Sequence, residues 1–376
     1  METSDMADVP AHAPLFKELK LGGTTAPNRI VMAPLTRARS TPGENVQTDL
    51  HAVYYSQRAG AGLVITEATN ISRQGQGYAW TPGIFSDAQV DGWKPVTDAV
   101  HAAGGRIFCQ LWHVGAISHN VFHDGAAPVS SSVWTPKGEA FVGDLHPDGP
   151  TVPHPEARAL SLDEIAGVIE DYRHAAKCAD KAGFDGVEFH GANGYLIDQF
   201  LRSSVNARDD QYGGSVENRV RLLVEGVDAV IDALGADRVG VRLSPAGGAG
   251  GSKDENPMET YVAAAKALSG KGLAYLHVVR SGEPENTKVV DAMRKAFDGS
   301  FIVNGGFTPE EAAQWIDEGR ADAVAFGKLY IANPDLAKRI AMDGPYNDPN
   351  PDTFYGGGAK GYTDYPIMDG TAQAAE

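Results

Sequence analysis

The segment Val187–Leu201 has the sequence VEFHGANGYLIDQFL and changes its pattern halfway. It begins as a short apolar run typical of a β-strand and ends with the apolar spacing of a helix. Between these parts, His190, Asn193 and Tyr195 lie within six residues, with glycines among them. Glycine allows backbone conformations closed to other residues, and α/β enzymes usually place their chemistry at strand ends. The segment therefore predicts a strand-then-helix unit whose junction offers two donors for a substrate oxygen and a phenol that can give a proton.

The same alternation of strand and helix continues along the chain. The candidate strands are Arg29–Ala33, Gly62–Thr66, Arg106–Gln110, Gly186–His190, Val239–Leu243, Tyr275–Val279, Phe301–Asn304 and Ala323–Phe326. Helical patterns are clearest at Leu162–Ala182, Val216–Leu234, Pro309–Glu318 and Asp335–Ala341. Ser161 and Glu164 have the spacing of a capping box at the start of the first helix. About eight such units predict an α/β fold with a single (β/α)8 TIM barrel, and an open doubly wound sheet is the alternative.

Two long irregular stretches interrupt the alternation. They are Val114–Arg158 and the tail after Met342, and both are rich in Gly, Pro and His. Loops of this length in a compact domain usually cover or build a site. We expect one domain over residues 1–376, with a barrel core at about 15–345 and a C-terminal tail, 346–376, that packs near the active site.

The composition limits the classes of function. The 376 residues are 42% hydrophobic, enough for a large core, and the net charge of -17 argues against nucleic acid or an anionic membrane as a partner. No apolar run approaches the roughly 18 residues of a membrane span, and the N-terminus lacks the features of a signal peptide. The two cysteines, Cys109 and Cys178, cannot make a disulfide framework or a four-thiolate iron–sulfur site. These features favour a cytoplasmic enzyme acting on small molecules, as a monomer or a homodimer.

Polar and glycine-rich segments follow several of the predicted strands. Gly305 and Gly306 follow strand seven, and Gly327 and Lys328 follow strand eight. Turns at these two positions of a barrel commonly bind a phosphate through backbone N–H groups. Arg242 and Gln110, on strands five and three, add polar anchors; the pattern suits a phosphorylated planar cofactor lying across the barrel mouth.

Several long motifs of the chain occur in the same order as in one known protein family. They are Asn28–Arg37, Gln110–Gly115, Val187–Leu201, Asp209–Arg219, Phe326–Leu336 and Phe354–Pro366. From about Leu15 to Pro366 the chain resembles the old yellow enzyme family of FMN-dependent ene-reductases, and within it the bacterial branch acting on enones, maleimides and nitro esters. The resemblance implies non-covalent FMN, with NADPH (or NADH) as hydride donor in a ping-pong cycle. It also implies reduction of activated C=C bonds in unsaturated carbonyl and nitro compounds, with nitroesters as a further substrate class.

The resemblance also implies roles for individual residues. His190 and Asn193 would bind the substrate oxygen, and Tyr195 would protonate the α carbon after hydride transfer. The cofactor would contact Pro34, Leu35, Thr36, Ala68, Gln110, Arg242, Gly305, Gly306, Gly327 and Lys328. The substrate slot would be lined by Tyr78, Trp112 and Tyr355.

The same residues are compatible with other functions and other side-chain pairings. A flavin-binding protein or sensor without a physiological reductase role is the alternative function, and a glycoside hydrolase using Glu188 as its acid is a more distant rival that lacks a second carboxylate. Arg242 could instead pair with Glu188 in the barrel core. Arg280 could face the cavity and bind an anionic group, or pair with Glu283 at the surface.

Other local patterns carry expectations of their own. Lys328 replaces the arginine of many relatives, and Ala116 replaces another, which could reshape the rim of the site. His119 and His123 have the i, i+4 spacing of metal ligands without a carboxylate motif, so we predict no metal site. Alternation along strand three points Cys109 outward into helix packing.

Overall fold

The computed structural model describes residues 12–368, which fold around a closed barrel of parallel strands. The barrel strands are β1 (Ile30–Met32), β2 (Leu63–Ile65), β3 (Ile107–Trp112), β4 (Gly186–Gly191), β5 (Val239–Leu243), β6 (Tyr275–Val279), β7 (Phe301–Asn304) and β8 (Ala323–Phe326). Each strand pairs in parallel with the next, and β8 pairs with β1. The ring is complete because β3 pairs with β4, with Gln110 opposite Glu188. The predicted (β/α)8 barrel is confirmed, and this closure excludes the open doubly wound sheet.

One α-helix follows each barrel strand and packs outside it. These helices are α1 (Asp49–Ser56), α2 (Asp87–Ala102), α3 (Leu162–Lys181), α4 (Val216–Leu234), α5 (Pro257–Leu268), α6 (Pro284–Ala296), α7 (Pro309–Asp317) and α8 (Leu336–Ala341). Two shorter helices, Leu196–Leu201 and Lys328–Ala332, follow β4 and β8 directly. Within residues 12–368, no helix is both long enough and apolar enough to cross a membrane.

Short 3-10 turns and strands complete the chain outside the barrel. The turns are Ala13–Phe16, Asn120–Phe122, Ala236–Arg238, Ala249–Gly251 and Pro351–Thr353. The additional strands are Leu19–Leu21, Thr24–Ala26, Thr69–Asn70, Val129–Ser130, Glu139–Phe141, Thr151–Pro153 and Arg158–Ala159.

Local sequence signals account for the ends of the elements. The capping box of α3 is present, since the Glu164 amide donates to Ser161 Oγ at 3.3 Å and the Ser161 amide donates to Glu164 Oε2 at 2.8 Å. Strand β3 begins and ends later than predicted and reaches Trp112. The reason is tertiary, because Leu111 and Trp112 pair in parallel with the short strand Thr69–Asn70.

Alternating side chains divide the core into two layers. Ile107, Cys109 and Leu111 point outward into the layer between strands and helices, as predicted for Cys109. Phe108 points inward and joins a separate apolar cluster with Tyr275 at the lower end of the barrel. The N-terminal hairpin formed by Leu19–Leu21 and Thr24–Ala26 adds to this cluster and closes the bottom. The polar residues Gln110, Glu188, Arg242 and His277 lie further along the strands, towards their carboxyl ends.

Candidate active site

Three buried side chains form a hydrogen-bonded row across the inside of the barrel. Gln110 Nε2 donates to Glu188 Oε1 at 2.7 Å, and His277 Nδ1 lies 2.8 Å from Glu188 Oε2. Burial alone would raise the pKa of Glu188, but the neighbouring His277 and Arg242, together with hydrogen bonds from His277 and Gln110, lower it. Glu188 is therefore a charged structural partner with both oxygens occupied, which excludes it as the free acid of a glycoside hydrolase.

Arg242 lies beside this row and does not form the ion pair with Glu188 that we considered. Its Nη2 donates to Asn304 Oδ1 at 3.0 Å, and Asn304 Nδ2 donates to the Ala325 carbonyl at 2.7 Å. The Nε atom of Arg242 is buried without a hydrogen-bond partner among the described residues. A buried guanidinium N–H normally has an acceptor. This unpaired donor is what a site for a bound anionic or carbonyl-bearing group requires.

His190 is the second-to-last residue of β4 and lies next to Arg242, with which it pairs in register. Its Nδ1 accepts a hydrogen bond from the Ala192 amide at 3.2 Å, so the ring proton is on Nε2. Burial, followed by the charges of Arg242 and His277, lowers the pKa of His190 well below its ordinary value. The imidazole is thus a neutral donor whose Nε2–H does not depend on pH in the physiological range.

Asn193 and Tyr195 follow on the turn between β4 and the helix Leu196–Leu201. Asn193 has a positive φ of 59°, and its amide donates to Ser244 Oγ at 2.6 Å. The Tyr195 hydroxyl lies 3.2 Å from the Tyr78 hydroxyl, and its ring meets the Trp112 ring edge to face at 4.9 Å. Burial raises the pKa of Tyr195 well above its ordinary value. The phenol therefore keeps its proton at neutral pH.

Tyr195, Tyr78 and Trp112 face a cleft of about 320 Å³. Its lining residues are Thr36, Ala38, Tyr78, Trp112, Phe141, Tyr195 and Tyr355. The buried Trp112 ring is stacked with Tyr78 at 5.5 Å and with His190 at 6.3 Å. The three residues predicted to line the substrate slot thus lie in one cleft with Tyr195 and Thr36. Tyr355 forms its outer wall and is 64% exposed.

The remaining predicted cofactor residues lie at the strand ends around this cleft. Pro34, Leu35 and Thr36 are half-buried in the loop after β1, and Ala68 is buried after β2. The turns after β7 and β8 are neighbours because Asn304 pairs with Ala325. Gly306 has a φ of 74° with open space where a side chain would lie, and Lys328 is exposed at the next turn. The two turns can therefore approach the same phosphate.

At the edge of the site, the alternative that pairs Arg280 with Glu283 is wrong. Arg280 pairs with Glu311 at 2.6 Å, not with Glu283, and its guanidinium lies 3.6 Å from the centre of the Phe307 ring. This packing on helix α7 replaces the pair with Glu283, and the binding of an anionic group by Arg280 stays a prediction. Ala116 is fully buried and its main-chain amide donates to Gln199 Oε1 at 3.1 Å, and the effect of this alanine on the rim stays a prediction.

The histidine pair of the long loop makes separate contacts. His123 Nε2 lies 2.8 Å from Ser118 Oγ, whereas the His119 ring meets His146 at 5.4 Å.

Sequence reasoning missed two groups of residues at the site. Ala38 and Phe141 line the cleft, and Phe141 comes from the hairpin within the long loop after β3. Arg37 and Arg39 hold the C-terminal segment: Arg37 Nη2 donates to the Gly361 carbonyl at 2.7 Å and Arg39 Nη2 to the Thr353 carbonyl at 2.9 Å. No local pattern predicts contacts across more than 300 residues; only the length of the two loops indicated that they cover the site.

Comparison with known proteins gives matches over nearly the whole chain. Residues 14–347 match the family described as NADH:flavin oxidoreductase / NADH oxidase. The chain is 46% identical to putative 12-oxophytodienoate reductase 11 of Oryza sativa subsp. japonica, over 95% of this chain and 98% of that protein. It is 43% identical to 12-oxophytodienoate reductase 2 of Arabidopsis thaliana, over 97% of this chain and 99% of that protein.

Solved structures match equally well. Morphinone reductase in complex with tetrahydroNAD has a TM-score of 0.90 at 49% identity, covering 94% of this chain and 98% of that chain. The old yellow enzyme homologue from Zymomonas mobilis has a TM-score of 0.89 at 44% identity, covering 94% of this chain and 99% of that chain.

Proposed function

The chain belongs to the NADH:flavin oxidoreductase / NADH oxidase family, as an FMN-dependent old yellow enzyme, and from this premise we propose that it reduces activated C=C bonds. The proposed substrates are α,β-unsaturated carbonyl and nitro compounds, with nitroesters as a further class. The reaction would be a ping-pong cycle with NADPH (or NADH) as donor. The names of the relatives, 12-oxophytodienoate reductase and morphinone reductase with tetrahydroNAD, support an oxo substrate and a nicotinamide donor.

The residues present fit FMN. The buried, unpaired Nε of Arg242 offers a donor inside the barrel mouth, and the open backbone at Gly306 beside Lys328 offers room and charge for a phosphate. Bound FMN would supply hydride exchange between the nicotinamide and the alkene. Gln110 would contribute an acceptor, because its Nε2 is already bonded to Glu188 and its carbonyl oxygen is free of that bond. We propose the same ten contact residues as predicted from the sequence.

One observation carries the proposed chemistry. The neutral imidazole of His190 and the protonated phenol of Tyr195 both lie against the ring of Trp112. His190 Nε2–H and the side-chain Nδ2–H of Asn193 would donate to the substrate oxygen and draw electron density from the β carbon. A preorganised donor of this kind is typically worth about 2.7–4 kcal/mol in the transition state. Tyr195 would then give its proton to the α carbon, and the Tyr78 hydroxyl can donate to the phenolate that remains.

The composition of the chain bears on its partners and location. The net charge of -17 disfavours nucleic acid and anionic membranes, so we propose a cytoplasmic enzyme of small molecules. Both monomer and homodimer are compatible with what is described. We propose NADPH as the preferred donor, with NADH as the alternative.

The purified protein provides a direct test. We expect a yellow protein whose visible absorbance bleaches anaerobically on addition of NADPH and returns on addition of cyclohexenone. Parallel titration with NADH measures the donor preference. A colourless protein that binds no FMN contradicts the proposal. Bleaching without recovery by cyclohexenone, 2-nitrostyrene or a nitroester favours a flavin-binding sensor instead.

A further inference from the structure

The turn that carries the proposed donors has an unusual backbone. Asn193 has a φ of 59° and the next residue, Gly194, a φ of 82°. A side-chain-bearing residue adopts positive φ only at a cost, and such a conformation persists when its surroundings hold it in place. The positions of the Asn193 and Tyr195 side chains therefore depend on what holds Gly194 between them.

We infer that Asp198 and Gln199 are positioning residues that clamp Gly194 and so set the places of Asn193 and Tyr195. Asp198 Oδ2 accepts from the Gly194 amide at 2.7 Å, and Gln199 Nε2 donates to the Gly194 carbonyl at 2.9 Å. Both side chains are completely buried. The inference rests on the proposed function, since it concerns the groups that bind and protonate the substrate.

The Asp198 carboxylate is itself fixed by neighbours. Arg202 Nε donates to Asp198 Oδ2 at 2.8 Å, and the Tyr261 hydroxyl donates to Asp198 Oδ1. Arg202 also donates to the carbonyls of Ser244 at 2.9 Å and Ala246 at 2.6 Å, in the loop after β5. The carboxylate is therefore unable to rotate away from the Gly194 amide without leaving a buried charge unpaired.

The Gln199 amide uses its whole hydrogen-bonding capacity. Besides the Gly194 carbonyl, Nε2 donates to the Val114 carbonyl at 3.0 Å. Its Oε1 accepts from the Ala116 amide at 3.1 Å and from Ser130 Oγ at 2.8 Å. A primary amide has two N–H groups and one oxygen with two lone pairs, so every site is filled. Gln199 thereby connects the turn after β4 to the loop after β3.

The opposite side of the turn lies against the loop after β5. The Ala249 amide donates to the Asn193 carbonyl at 2.9 Å. A methyl group on Gly194 would lie 2.5 Å from the Ala249 nitrogen and 2.8 Å from Ser252 Oγ. With this loop on one side and Asp198 and Gln199 on the other, a change in either clamp contact moves the turn. Tyr195 moves with it, because it starts the helix Leu196–Leu201.

Gln199→Met in the holoenzyme tests the clamp, because methionine has nearly the same volume and lacks the amide. Ser131→Ala is the control: it removes the bond from Ser131 Oγ to the Gln199 main-chain carbonyl, at 2.9 Å, and leaves the clamp intact. We expect Gln199→Met to slow cyclohexenone reduction on the order of 10²-fold, since small misplacements of reacting groups have effects of that size. Amide hydrogen exchange across residues 191–196 should quicken. The affinity for added phenol, used as a probe whose oxygen would accept from His190 and Asn193, should weaken. Both properties should be unchanged in Ser131→Ala.

A folded Gln199→Met protein that matches Ser131→Ala in enone rate, exchange and phenol affinity overturns the inference. If Gln199→Met does not fold, Tyr261→Phe decides, because it removes one of the donors that fix Asp198. Faster exchange across 191–196 together with slower enone reduction in Tyr261→Phe supports the clamp, and no change in either overturns it. Failure of the wild-type protein to reduce cyclohexenone would instead reject the proposed function, while the exchange experiment would still test the clamp.

Discussion

Tyr195 and Tyr78 share one hydrogen bond but have different surroundings, and this difference separates their roles. Tyr195 also meets the rings of Trp112 at 4.9 Å and His190 at 5.2 Å. Tyr78 instead lies parallel to Trp112. Only Tyr195 belongs to the turn that carries Asn193, so its hydroxyl is the one positioned with the proposed oxygen-binding donors.

Replacing Tyr195 should therefore affect only the half-reaction that needs a proton. We expect Tyr195→Phe to slow enone reduction by about 10²-fold or more, the usual contribution of a positioned acid. Flavin reduction by NADPH should change little, since it requires no proton at a substrate carbon. Stopped-flow measurement of the two half-reactions checks this. Tyr78→Phe is the matched control and should have a smaller effect; equal losses in both half-reactions of Tyr195→Phe would contradict the assignment.

At the scale of elements, the C-terminal segment 353–363 forms part of the cleft because two arginines attach it to the loop after β1. Arg39 donates through Nε to the Gly358 carbonyl at 3.1 Å and through Nη2 to the Thr353 carbonyl at 2.9 Å. Tyr362 stacks on Tyr54 at 4.1 Å beneath these contacts. The Glu67 carboxylate orders the same loop by accepting from the amides of Arg37 and Ala38. The wall formed by Tyr355 therefore depends on contacts distant from the chemistry.

Arg39→Lys should loosen this segment, because an ammonium cannot reproduce the fork of hydrogen bonds. We expect the KM for cyclohexenone to rise several-fold with a smaller change in kcat, and stability to fall by about 1–3 kcal/mol. Limited proteolysis should cut within 353–363 more readily. Arg73→Lys is the control. Among residues 12–368, Arg73 forms a salt bridge only with Asp124, and its side chain is 62% exposed, so the stability of this variant should change by no more than about 0.5 kcal/mol. An unchanged KM and cleavage pattern in Arg39→Lys would refute this role of the tail.

At the scale of the whole molecule, several histidines are buried as neutral rings. Burial lowers the pKa of His113 to about 3 and the pKa of His51 to about 4. In the unfolded chain a histidine has a pKa near 6.5. As the pH falls below that value, the unfolded state takes up protons that the folded state does not. Stability should therefore fall as pH decreases from about 6.5 towards 3–4.

His113→Gln isolates one of these contributions. Linkage gives about 2 kcal/mol at pH 5 for one histidine whose folded pKa is near 3. Glutamine keeps an acceptor for the Gly115 amide, which donates to His113 Nδ1 at 3.1 Å. We expect the variant to lose less stability than wild type between pH 7 and 5, measured by urea unfolding at each pH. Because the two proteins are compared at the same pH, the contributions of other titrating groups cancel. If the free energy of unfolding fell equally with pH in both proteins, His113 would not contribute as predicted.

The barrel and part of its site were predictable because their signals are local. The periods of the side-chain pattern predicted all eight barrel strands, with errors only at strand ends such as that of β3. The capping box of Ser161 predicted the start of α3. His190, Asn193 and Tyr195 could be recognised together because they are close in sequence. Gln110 and Arg242 were assigned to the cofactor site by their positions on strands three and five, whereas the assignment of Tyr355 came from the family resemblance.

What the sequence by itself determined is the order of the elements and the residues at each strand end, since these follow from side-chain period and caps within a few residues. The tertiary structure alone decided the partners: Glu188 with Gln110 and His277, Arg242 with Asn304, and Arg280 with Glu311. It also decided that Asp198 and Gln199 hold Gly194. The physical reason is that buried polar groups must find partners wherever barrel closure brings donors and acceptors together. Which groups meet in this way is not encoded in any local pattern.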